Sequence, residues 1–350
     1  MKFQRQELKD LMKAKLMSAG LHEDHADMTA EILTWSDERG YHSHGAVRVE
    51  YYSERIYKGG ITVDPKFEWK ETGPCSGIFE GDNGIGYVAA TLSTRKAIEM
   101  AKKNGIAVVG TAHCSHTGSI GYYTEMCAKE GLCAICFCQS DPMAVPFGGT
   151  EPYYGTNPIS FAAPAADGRH IVFDMATTVQ AWGKILDKRS RGDAIPADWA
   201  VDENGEPVTD PDKVNALVPI AGAKGYGLMM LVDVFSGILL GVPFGGHVSS
   251  MYHDLSVGRD LGQMIIVMDP DRFCGAKEFM ENMAKSMDEL NAIPPAPGFD
   301  KVYYPGERAE MRRDQAYATG GVEIVDNIVD YLKSDDIWRR SYDHRNRFAD

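Results

Sequence analysis

Positive charge is in short supply in this chain. Over 350 residues, 36 lysines and arginines face 50 aspartates and glutamates, a formal net charge of −14. A nucleic-acid or anionic-membrane partner needs a basic surface, so neither is expected. A small anionic substrate remains compatible, because only local charge matters to it. Cysteine offers no scaffold either: there are seven, an odd count without secreted-framework spacing. The single CxxC lies in "LCAICFCQS" (Cys133, Cys136, Cys138), an apolar run that reads as buried strand, and no second pair completes a zinc site. Free structural thiols, and no metal, are the expectation.

Long uninterrupted hydrophobic runs are also missing. The opening "MKFQRQELKDLMKAKL" mixes polar and apolar residues as no secretory leader does, which points to the cytoplasm. The longest apolar stretch, "YGLMMLVDVFSGILLGVPFGG", carries Asp233 near its middle; a carboxylate is costly in lipid, so a core helix is expected there. Internal repeats and low-complexity tracts are lacking. So is a full dinucleotide fingerprint: "GDNGIGYVAA" has Gly84-x-Gly86-x-x-Ala89 but no acidic residue at the distance a second strand would require. A nicotinamide cofactor would therefore sit outside a Rossmann domain.

What is present alternates helix and strand. Leu8, Leu11, Met12 and Leu16 share one helical face, "HEDHADMTAEILTWSDERG" forms a second amphipathic segment, and residues 47–57 predict a third helix. Strand-like runs include "SGIFEG", "IAVVGTA", "ISFAAPA", "HIVFDMA" and "QMIIVMDP"; a helix is predicted over 276–291. "DPMAVPFGGTEPYYGTNP" holds too many turn-formers for regular structure, and Asn204-Gly205 marks an exposed turn. The pattern predicts an α/β (α+β) protein with a mixed sheet. Its divisions are a helical N-terminal region (1–75) packing with the C-terminal arm, an α/β cofactor-binding domain (76–290), and a C-terminal arm with helices (291–350).

Three groups of residues can carry chemistry. In "YHSHGAVRVEYYSERI", His44, Arg48 and Tyr52 follow at steps of four, which on a helix aims an imidazole, a guanidinium and a phenol the same way. Arginine grips a carboxylate through paired hydrogen bonds, and histidine or tyrosine can exchange a proton; the plain alternative is a capped, packed helix. "TAHCSHTGSIGYY" places His113 and His116 in a glycine-containing loop after an apolar strand, where ligands commonly sit. Asp141, past another strand, is placed to orient such a histidine. "AGAKGYGLMML" sets Lys224 among glycines at a helix start, suited to a phosphate. A rival of another class, a metal-dependent ureido hydrolase, would draw on His42, His44, His113 and His116.

Taken together, "HSHGAVRVEYYSERI", "HTGSIGYY", "PFGGTEPYYGTNP", "FDMATT" and "GAKGYGLMMLVD" resemble the malate/L-lactate/sulfolactate type of nicotinamide-dependent dehydrogenases, in order across nearly the whole chain. The resemblance implies a non-Rossmann cofactor domain, a homodimer and a 2-hydroxy-acid substrate. "CQSDPM", "TTVQAWGKILDKRSR" and "VSSMYHDL" narrow it to the branch that oxidises (S)-ureidoglycolate to oxalurate with NAD in cytoplasmic allantoin breakdown. Malate, sulfolactate, lactate and diketogulonate are the alternatives within the family. It further implies His116 as acid/base with His44 as second choice, substrate contacts at Ser43, His44, Arg48 and Tyr52, and cofactor contacts at Ser140, Asp174, Met175, Ala176 and Lys224. Tyr252, with Ser140 and Asp141, is expected to meet the ureido group. NAD against NADP stays open at this level.

Overall fold

The computed structural model of the chain describes residues 1–339; residues 340–350 of the expected C-terminal region lie outside the described residues. Strand β1 (Lys2–Phe3) leads into α1 (Arg5–Ser18) and α2 (Glu23–Glu38). A reciprocal cap between Gln4 and Glu7 opens α1, which buries Leu8, Met12 and Leu16 along the face their spacing predicts. A tight turn at His42–His44 precedes α3 (Arg48–Tyr57), followed by β2 (Glu68–Gly73) and β3 (Ser76–Glu80). Next come α4 (Gly86–Asn104), β4 (Ile106–Cys114), α5 (Gly121–Lys129), β5 (Cys133–Cys138), β6 (Ile159–Pro164) and β7 (His170–Met175). The order continues with α6 (Trp182–Arg191), the short β8 (Ala200–Val201) and β9 (Ala216–Leu217), and α7 (Ala223–Ser236). It closes with β10 (Leu261–Met268), α8 (Ala276–Ala292), α9 (Glu307–Ala318), β11 (Val322–Glu323) and α10 (Asp326–Lys333).

Seven strands build the central sheet in the order β2-β3-β4-β10-β5-β6-β7. β3 and β4 run parallel; the other neighbours are antiparallel, so the sheet is mixed. An antiparallel β10 at its centre departs from a doubly wound nucleotide-binding order. Side-chain alternation along β10 assigns the layers. Ile265 and Val267 join the large core with α4 and α5 residues, while Met264 and Ile266 pack with Val232 of α7 on the other face.

The large core also takes in Leu8, Leu33 and Val49 from the N-terminal helices and Val322 and Leu332 from the C-terminal segment. The expected division at 75/76 falls in the turn between β2 and β3, and that at 290/291 falls inside α8, while this one core draws on residues from all three expected parts. A second core, with Ala144, Tyr154, Ile185, Leu217 and Met229, belongs to the irregular middle of the chain. β5 buries Cys136 and Cys138, and all seven cysteines are free. The apolar stretch forms α7, whose Met229, Val232 and Asp233 are buried while Leu228, Met230, Val234 and Phe235 are exposed. The core-helix expectation holds for one face of α7.

Candidate active site

The turn ahead of α3 is wound around one carboxylate. Asp37, in the last turn of α2, accepts the Ala46 amide at 2.6 Å and meets His42 Nδ1 at 2.9 Å. Gly45 permits this, because a Cβ there would lie 2.1 Å from the Asp37 carboxyl carbon. His44 thus sits in the short turn and only Arg48 and Tyr52 share α3, so the three groups do not form one helical stripe. They converge all the same. Arg48 Nε donates to the Ser43 carbonyl at 2.7 Å, tying the turn to the helix, and Ser43 Oγ lies 2.9 Å from His44 Nδ1.

β4 delivers the second histidine. Past Cys114 the chain turns, and the His116 ring comes to 5.7 Å from the His44 ring. His116 Nδ1 lies 2.7 Å from the Tyr52 hydroxyl, which lies 3.0 Å from the Tyr87 hydroxyl. Tyr52 is fully buried. Its phenol, expected to contact the substrate, lies between His116 and Tyr87, an arrangement that can orient the imidazole. Burial, then the Arg48 charge, lowers His44 to about 3, and the same two causes hold His116 well below the usual histidine range. Both imidazoles are neutral near pH 7, and each is exposed to Arg48's field.

Asp141 does not orient a histidine. One oxygen pairs with the buried Arg259 at 3.0 Å and the other accepts the Met251 amide at 2.9 Å. It fixes the segment carrying Tyr252, whose hydroxyl lies 3.5 Å from Arg48 Nη1. Tyr252 is thus at the site through Arg48, and Asp141 acts behind it. His113 turns away to Glu80, 2.8 Å distant, and His42 to Asp37, so the four histidines do not gather as metal ligands. Among the described residues the one group with metal-ligand spacing is Glu125, His170 and Glu310, and Arg39 already pairs with both glutamates.

Four loop segments meet where a cofactor was expected. Ser140 Oγ accepts the Thr156 amide at 2.9 Å, and the Thr177 hydroxyl donates to the carbonyls of Thr156 and Asn157. The Ile220 amide donates to Thr177, which brings the start of α7 alongside. Lys224 is exposed in the first turn of that 14-residue helix, so its charge and the free backbone amides suit an anionic dinucleotide. Asp174 and Met175 close β7, with Ala176 just beyond; Asp174 accepts the Gly121 amide at 2.8 Å, and burial raises it to about 6. This donor set fits a nicotinamide dinucleotide.

Asp37, Tyr87 and Arg259 escaped the sequence reading. Only Asp37 left a trace, as an acid a few residues ahead of the "SHG" turn; the other two act through partners remote in sequence.

A sequence profile of the family described as "Malate/L-lactate dehydrogenase" matches residues 3–333. Ureidoglycolate dehydrogenase (NAD(+)) of Escherichia coli O157:H7 is 55% identical over 349 residues, covering 100% of both chains. Malate dehydrogenase of Pyrococcus horikoshii is 34% identical, over 91% of this chain and 89% of its own. The solved sulfolactate dehydrogenase of Methanocaldococcus jannaschii has the same fold, with a TM-score of 0.89 at 32% identity and 96% coverage of each chain.

Proposed function

Because the chain belongs to the malate/L-lactate dehydrogenase family, we propose that it oxidises (S)-ureidoglycolate to oxalurate with NAD, in cytoplasmic allantoin breakdown. The observation that carries this substrate is the 55% identity, end to end, with an enzyme named for it, against 34% for the archaeal malate dehydrogenase.

Arg48 takes the substrate carboxylate, with Ser43 and His44 lining the approach. His116 removes the hydroxyl proton at Nε2, the nitrogen without a hydrogen-bond partner among the described residues. For that step Nδ1 carries the other proton and donates to Tyr52, which donates to Tyr87. Arrival of the carboxylate offsets the Arg48 charge that depresses His116, so the base gains proton affinity as the substrate binds. Ser140, Asp174, Met175, Ala176 and Lys224 would hold NAD, which when bound accepts the hydride from the carbinol carbon. Products are oxalurate, NADH and one proton. Tyr252 meets the ureido group, a polar unit that a methyl cannot replace without leaving its partners unpaired.

A homodimer completes the proposal. Leu228, Val234 and Phe235 on the outer face of α7, with Ile238 and Leu239 beyond it, form an exposed apolar strip suited to a second copy of the chain.

A panel of ureidoglycolate, malate, lactate and sulfolactate with NAD and NADP tests the reading. Ureidoglycolate with NAD is expected to exceed the others in kcat/KM by about a thousandfold or more, beyond the 10- to 200-fold that an apolar pocket alone supplies. Comparable efficiency on malate would sink the assignment.

A further inference from the structure

Four groups used above, Ser43, His44, Arg48 and the Ala46 amide, hang from a turn whose shape is set on its far side. The Asp37 carboxylate is 3% exposed, and the turn closes over it with Gly45 pressed against the carboxyl group and Ala46 and His42 bonded to its two oxygens. The His44 amide bonds back to Tyr41 and the Arg48 amide to Gly45, so displacement at 42–46 passes directly to both side chains. His42 is the solvent-facing end of this arrangement, with its side chain 61% exposed.

We propose that Asp37, acting with His42, is the positioning residue of the active site: it holds the turn that presents Ser43, His44 and Arg48, touching no reactant itself. This rests on the reading of those three as the substrate-side groups. The pair faces Glu38 on α2, Arg312 on α9 and Glu323 on β11, with Lys2 lining the same cleft. The hydrogen bond to Asp37 raises His42 above its ordinary value. The added grip of a charged His42 is therefore complete below about pH 6.5 and fades as pH climbs through the raised value.

Asp37→Ala is expected to lower kcat about 10- to 100-fold, as small misplacements of reacting groups do, with NADH binding within about twofold of wild type. Asp37→Asn keeps an acceptor for Ala46 and should recover most of that loss. The ratio of wild-type to His42→Gln kcat/KM should fall about two- to fivefold from pH 6 to 9, since glutamine donates at every pH. Equal rates for Asp37→Ala and wild type, or a flat ratio with no rescue by asparagine, overturn the proposal. Histidine-labelled protein gives a readout independent of any substrate. The His42 titration should drop toward 6.5 in Asp37→Asn, and the His44 ring resonances should move in Asp37→Ala. Unmoved His44 resonances overturn the positioning role whatever the substrate proves to be.

Discussion

His44 and His116 are both held neutral beside one guanidinium, yet their second nitrogens have different neighbours: a serine hydroxyl for His44, a buried phenol pair for His116. A base needs a rigid partner for the nitrogen that does not react, and the enclosed Tyr52 fits that part in the proposed mechanism. His116→Ala should cut turnover roughly 100- to 10,000-fold while leaving NADH affinity unchanged; a larger loss of the chemical step in His44→Ala would exchange the two roles. Arg48 adds a dependence on pH. In the free enzyme His116 lies well below 6.5, so kcat/KM for oxidation should hold steady as pH falls toward 6. In the complex, with Arg48's charge offset by a carboxylate, the acid limb of kcat should stand at higher pH than that of kcat/KM. Coincident limbs in the two profiles would remove Arg48 from the base's control.

At the scale of elements, α3 and the turn before it show what spacing can and cannot tell. Steps of four located His44, Arg48 and Tyr52, but the turn at 42–44 breaks the stripe, and only the packing of α3 against the β4 loop brings Tyr52 to His116. His116 was legible as a histidine past an apolar strand. Tyr87 was not, because a tyrosine in the first turn of α4 reads as core until Tyr52 is seen across from it. Asp141 misled for the same reason: a strand-end acid announces a charge, not its partner, and Arg259 lies 118 residues away. Arg48→Lys should raise KM for the substrate about tenfold or more with a smaller change in kcat, since lysine lacks the planar fork. An unchanged KM would take the carboxylate elsewhere.

Across the whole molecule, the fold class and the mixed sheet followed from alternating periodicities, whereas strand order and the joint core did not, because both depend on contacts between distant segments. α7 is the clearest case. Its composition announced burial, and the chain alone buries one face, leaving Ile238 51% and Leu239 59% exposed beside it. Replacing both with glutamate should turn the proposed dimer into a monomer by light scattering; a mass equal to that of the unaltered chain would remove this strip as a contact between copies.

β1 pairs with β11, Lys2 opposite Glu323 and Phe3 opposite Val322, and Lys15 of α1 donates to the Ser334 carbonyl at 2.8 Å. The first helix layer is thus clasped by a segment far along the chain, with Lys15 and Ser334 separated by 319 residues. Contacts so far apart in sequence form late. Loosening that clasp, which lies away from His44 and Arg48, is therefore expected to loosen the layer that carries both of them.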